Sequence, residues 1–130
     1  MPRSGKTQRL GSSRARGVVM SEAELQASVI ELAHVRGWMV AHFRANVLIQ
    51  RKDGNTYRAT PVQADGAGFP DLVLCRRDRV LFVELKAQRG VLSPAQARWL
   101  ANLALALPDG SVFVWKPADW HSGEIDRVLL

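Results

Sequence analysis

The sequence predicts an α/β fold, a mixed central β-sheet with two helices packed against it. Three observations lead there. Segments 21–36 and 93–107 repeat apolar residues at helical spacing behind a capping serine. Segments 70–75 and 80–85 are short, almost wholly apolar runs of strand character. Further strand-like segments, 38–44 and 111–116, follow each helix. At 130 residues the chain is long enough for one ordinary domain and too short for two. A hydrophobic content of 47% allows that domain a real core.

The first helix starts at Ser21, with Glu24 three residues on as a capping box requires. Leu25, Val29, Leu32 and Ala33 form its apolar stripe, and Gly37 ends it. At about 100° per residue, Glu22 falls in the middle of that stripe and Glu24 and Glu31 fall opposite it. A cap and a solvated face account for Glu24 and Glu31. Glu22 either points toward the core side or stabilises the helix N-terminus.

Segment 46–60 reads as a hairpin centred on Asp53-Gly54-Asn55, with arms at 47–50 and 57–60. Arg44, Arg51, Lys52 and Arg58 gather there, either against a phosphate backbone or as a solvated loop. His42 reads as a partly buried, satisfied histidine, with the orientation of a water or phosphate as the other option. Residues 63–68 are glycine-rich and permit tight turns. Cys75, the single cysteine, can form no intrachain disulfide and reads as a reduced core residue. The second helix is capped by Ser93, with Pro94 in its first turn and Gln96 completing a capping box. Leu100, Leu103, Ala104 and Leu107 form its core stripe. After strand 111–116 the chain turns at Pro117 into a short terminal segment.

The net charge of +6 is uneven: residues 1–20 carry five basic residues and no acid, which leaves +1 for residues 21–130. Residues 1–20 therefore read as a disordered basic tail and 21–130 as a single domain. No apolar run approaches the roughly 20 residues that span a membrane, and the N-terminus has no apolar signal region. A cytoplasmic protein without membrane contact is the expectation.

The chemistry concentrates in Pro70-Asp71 and Glu84-Leu85-Lys86. A two- or four-residue turn at 77–78 sets one register, with Asp71 directly opposite Glu84. Opposed residues of an antiparallel pair lie about 4.5–5.5 Å apart. Lys86, two residues past Glu84, shares its face. Asp71, Glu84 and Lys86 thus converge at one end of a sheet face that is otherwise apolar. Two carboxylates that close repel unless a cation joins them. The arrangement suits a divalent ion such as Mg²⁺, which prefers oxygen ligands, with Lys86 left to act on a water or a developing phosphoryl charge. A structural ion pair of Lys86 with the two acids is the alternative.

Pro70-Asp71 and Glu84-Leu85-Lys86 together match the Pro-Asp … (Asp/Glu)-x-Lys pattern of restriction-endonuclease-like nucleases. Gly68-Phe69-Pro70-Asp71-Leu72, Val83-Glu84-Leu85-Lys86, the run Gly90-Val91-Leu92-Ser93-Pro94-Ala95-Gln96 and the helix holding Glu22 resemble the VRR-NUC family over about residues 21–120. The resemblance implies an αβββαβ core of restriction-endonuclease-like type. It implies an Mg²⁺- or Mn²⁺-dependent deoxyribonuclease, with Glu22, Asp71, Glu84 and the Leu85 carbonyl as metal ligands and Lys86 assisting the water. DNA is the implied partner. A homodimer cutting branched or Holliday-junction DNA in replication, repair or phage genome processing is the refinement. A non-specific or nicking endonuclease is one rival, and a non-catalytic DNA-binding module with a structural acidic site is another.

Overall fold

Caps, turns and alternation set the element order. The computed structural model describes residues 19–43, 47–59 and 64–130. Residues 1–18 of the expected tail over 1–20, as well as Arg44 and the side chain of Arg58, lie outside the described residues.

Helix α1 (Glu22–Val35) starts where Ser21 accepts a hydrogen bond from the Glu24 N–H at 3.1 Å. Only half of the expected capping box forms, because the Glu24 carboxylate turns to the Ser21 hydroxyl instead of the Ser21 N–H. Strand β1 (Met39–His42) follows. Strands β2 (Val47–Gln50) and β3 (Thr56–Ala59) pair with each other as a separate two-stranded sheet. Their turn is closed by Asp53, which accepts from the Asn55 N–H at 3.0 Å, with Gly54 at φ +88°.

Strands β4 (Leu72–Arg76) and β5 (Arg79–Leu85) form the centre of the main sheet. Their two-residue turn pairs Arg76 with Arg79 and Leu72 with Val83, the register expected from the sequence. Helix α2 (Pro94–Ala106) crosses over to β6 (Val112–Trp115). The strand order is β1-β4-β5-β6, with β6 parallel to β5 and the other pairs antiparallel. The sheet is therefore mixed, and helices flank it.

One face carries the core. Leu72, Leu74, Leu81, Val83 and Leu85 pack with Leu25, Val29 and Ala33 of α1. The short terminal segment turns out to be two helices, α3 (Pro117–His121) and α4 (Glu124–Leu129), and Ile125, Val128 and Leu129 complete this core. The Trp38 indole N–H donates to the Leu129 carbonyl at 3.1 Å. The Arg76 guanidinium lies 4.5 Å over the Trp38 ring and donates to the Arg36 and Leu130 carbonyls. Arg36 in turn pairs with Asp126. These bonds satisfy main-chain acceptors at the ends of α1 and α4, which buried helix ends require.

The other face corrects two expectations. It is covered only in part: Met39 is 76% exposed, and Val73, Val80 and Phe82 are half-buried. Cys75 stands on this open face and is exposed, so it is no core residue. The α2 stripe also buries less than its spacing suggests, with Leu100 buried and Ala104 exposed. The helix covers one end of the face, where Phe69 makes edge-to-face contacts with Phe43, Phe82 and Trp99. Among the described residues no helix is long and apolar enough to cross a membrane.

Gly68 sets how closely α2 approaches. It holds φ +83°, and a Cβ there would meet the Ala95 carbonyl carbon at 2.5 Å and the Gln96 nitrogen at 2.6 Å. Both contacts are helix backbone, which cannot yield as a side-chain tip can. Gly68→Ala should therefore cost about 3 kcal/mol or more from φ strain and overpacking together. Urea denaturation checks this; a loss under about 1 kcal/mol would mean that α2 shifts freely.

Candidate functional site

Asp71 lies one residue before β4, at the end of the sheet partly covered by α2. Its main-chain carbonyl accepts from the Phe43 N–H at 2.9 Å, tying it to β1. Its Oδ2 accepts from the Leu85 N–H at 2.8 Å, tying it to β5. These two bonds fix the carboxylate beside the neighbouring strand, facing Glu84.

Glu84 is the one buried carboxylate among the described residues, at 1% exposed. Its Oε1 accepts from the Gln96 Nε2 at 2.9 Å and lies 3.7 Å from the Lys86 Nζ. Its Oε2 is buried and has no hydrogen-bond partner. Burial first, and the Asp71 charge second, push the Glu84 carboxyl from 4.5 up to about 8. The charge of Glu22 acts the same way, and Lys86 opposes them. Burial disfavours the ionised form and a like charge adds to it, so at neutral pH the pair holds a proton until a cation displaces it.

Lys86 follows β5 directly, and its side chain is 15% exposed. Its N–H donates to the Trp115 carbonyl at 3.0 Å. Leu85, between Glu84 and Lys86 in sequence, is fully buried. Glu22, in the first turn of α1, is exposed, yet its charge reaches Glu84. It does not close on the pair: among the described residues, no group of three or more His, Cys, Asp or Glu side chains is placed to hold a metal ion. Arg51 and Lys52 are exposed in the β2–β3 turn, on a different sheet from the acids. His42, at the end of β1, is exposed rather than partly buried.

Sequence reasoning set Gln96 aside because capping explained it. The cap uses only half of the amide. The Gln96 Oε1 accepts from the Ser93 N–H at 2.9 Å, so the Nε2 is left to face Glu84. The signal was present in the residue type: glutamine has a donor and an acceptor, and a capping box uses only the acceptor.

The donor set suits a hard divalent ion. Asp71 and Glu84 offer carboxylate oxygens, and the unpartnered Oε2 of Glu84 is a buried acceptor that the protein itself does not satisfy. Mg²⁺ is commonly held by one or two carboxylates, with waters and substrate phosphate supplying the rest, so a full protein cage is not required.

Two acids and a lysine thus meet at one end of the sheet. The chain belongs to the VRR-NUC domain family, whose model matches residues 14–115. That membership indicates a nuclease type of function. The match begins within the basic leader, ahead of the boundary at residue 21 expected from the sequence. No curated protein and no solved structure is significantly similar to the chain.

Two outcomes follow from this geometry. The folded protein retains the Glu84 proton more strongly than the unfolded chain does, since the carboxyl is raised from 4.5 to about 8. Metal-free protein should thus lose stability as pH rises through that window. Glu84→Gln should flatten the dependence and be the more stable form at the alkaline end. Melting temperatures in chelator across the window decide it, and parallel curves for the two proteins would refute the assignment. The second outcome separates the two jobs of Gln96. Ser93→Ala and Gln96→Ala should each cost about 1 kcal/mol as cap losses. Only Gln96→Ala should also raise the Mn²⁺ concentration needed for half-maximal thermal stabilisation. An equal metal response in both variants would reduce Gln96 to a cap.

Proposed function

We propose that this chain is an Mg²⁺- or Mn²⁺-dependent DNA endonuclease that hydrolyses phosphodiester bonds, acting as a homodimer on branched DNA. The observation that carries the reading is Glu84, a buried carboxylate with one oxygen lacking any partner, set against Asp71 and Lys86. An ion pair alone would leave that oxygen unsatisfied. The α-β-β-β-α-β order of the elements in and around the main sheet supports a restriction-endonuclease-like fold.

In this mechanism Asp71, Glu84 and the Leu85 carbonyl would hold the ion, with Glu22 joining from α1 when substrate and metal bind. Bound there, a divalent ion lowers the pKa of a water and offsets charge developing on the phosphoryl oxygens. The protein's own groups do the rest. Asp71 is fixed by the Leu85 N–H, so its second oxygen is the one available. Gln96 holds the Glu84 Oε1 in place and leaves the Oε2 free. Lys86 keeps its ammonium beside the site. From there it can donate a hydrogen bond to the attacking water or to a non-bridging oxygen as negative charge builds. Water attacks phosphorus in line and gives up a proton to solvent, while the bond to the far oxygen breaks and that oxygen leaves with the bond electrons and takes up a proton. Arg51 and Lys52, with Arg44 and Arg58, would add phosphate contacts that position the backbone without reading sequence. A chain with one site needs two copies to cut two strands, which is the case for a dimer.

Wild-type protein incubated with Mn²⁺ should cut branched and flapped DNA faster than linear duplex. Lys86→Ala should lose about 100-fold or more of that rate. Asp71→Ala should lose both cleavage and the rise in melting temperature on adding Mg²⁺. If wild type cuts none of these DNAs, the non-catalytic binding module becomes the better account. If Lys86→Ala cuts as well as wild type, the lysine role is wrong.

A further inference from the structure

A cleft of about 370 Å³ lies between the 3-10 turn Ala64–Gly66 and the side of α2 that carries Trp99. Asp65, Ala67, Ala95, Arg98, Trp99 and Asn102 line it. Ala95 precedes Gln96 in the chain. Trp99 stands three residues after Gln96, so the two share a face of α2 one turn apart. The wall between cleft and acids is therefore the close contact of Gly68 with Ala95 and Gln96.

Trp99 is held rigidly. Its indole N–H donates to the Asp65 carbonyl at 2.7 Å, and its ring meets Phe69 edge-on at 5.0 Å between centroids. With the N–H already engaged, what the ring adds to the cleft is π-surface. Arg98 is exposed, and among the described residues its guanidinium makes no hydrogen bond or ion pair. The Asn102 Nδ2 donates to the Arg98 carbonyl at 2.8 Å, which leaves the amide oxygen as an acceptor. The Asp65 carboxylate is a second acceptor. An indole platform, two acceptors and a guanidinium suit a planar aromatic group that bears amino donors and is attached to an anion. They do not suit a lone phosphate, which Asp65 would repel, nor an aliphatic chain. The volume is within the range of small-ligand sites.

We propose that this cleft receives an unpaired nucleotide of the DNA substrate, its base stacked on Trp99 and its phosphate held by Arg98. The neighbouring phosphodiester then lies at Glu84 and Lys86. This rests on the nuclease reading above and names its substrate class. A base inside a duplex is stacked on both faces and cannot lie on an indole, so the nucleotide has to be single-stranded or extruded. The cleft would thus choose DNA with an unpaired residue beside the cut, at a flap, gap or junction.

The test uses the full chain in metal-free buffer and DNA carrying 2-aminopurine at one position, either unpaired or paired within the same duplex. Binding should quench the unpaired probe and leave the paired one unchanged. Trp99→Ala and Arg98→Ala should weaken binding of the unpaired form about tenfold or more, the effect usual for a lost base–aromatic stack or phosphate contact. Trp99→Phe should retain most of it. Trp99 also packs on Phe69, so melting temperatures are measured alongside, and Arg98→Ala, with an exposed side chain, is the independent variant. Equal binding of both DNAs by wild type, or wild-type binding by both alanine variants, overturns the proposal. Cleavage with Mn²⁺ is scored separately. Cutting with unchanged substrate preference in both alanine variants overturns the cleft and leaves the nuclease standing. Quenching that depends on Trp99 without cutting in any metal supports the cleft and overturns the nuclease.

Discussion

The burial of one carboxylate governs the working end of this protein. Glu84 sits on the strand with neighbours on both sides, at 1% exposure, beside a second acid. A buried charge is stable only when paired, bonded or protonated. Here the surroundings supply part of each remedy: an amide on Oε1, an ammonium nearby and a carboxyl raised to about 8. None reaches the second oxygen. The site is thus under electrostatic stress as it stands, and a cation is the simplest relief.

That stress has to be met by stability elsewhere, and the two faces of the sheet divide the work. The face against α1, α3 and α4 is dry and closed, with Leu72, Leu74, Leu81, Val83 and Leu85 all at or near zero exposure. The opposite face holds the acids at one end and leaves Met39, Cys75 and Val73 open or half-open at the other. Gly68 joins the two requirements, because its contact with the start of α2 is what brings Gln96 within reach of Glu84. A loop glycine, a helix cap and a buried carboxylate oxygen form one chain of contacts.

Much of this was legible before the fold was known, and the reasons differ by element. The β4–β5 register followed from a short turn and the period of two, so Asp71 could be set against Glu84 by counting. Helix α2 was legible from Ser93, Pro94 and Gln96, since capping is local chemistry. What escaped was non-local. Helix α4 has only six residues and starts from Gly123 at φ +84° without a side-chain cap, so no local signal announced it. The exposure of Cys75 and Ala104 depends on how far α2 extends over the sheet, which apolar spacing does not encode. Glu22 was phased toward the core side and is exposed, though its charge is felt at Glu84. A position in the first turn of a helix can lean past the end of the face it projects onto.

The family match ends at Trp115, but the closed face does not. Beyond that residue come Ile125, Val128 and Leu129, and the carbonyls that receive the Trp38 indole and the Arg76 guanidinium. The stretch shared with relatives and the stretch that keeps water from the interior are therefore different lengths. A fragment trimmed to the shared stretch would keep both acids, the lysine and the glutamine. It would open the hydrophobic side that holds their strand in place.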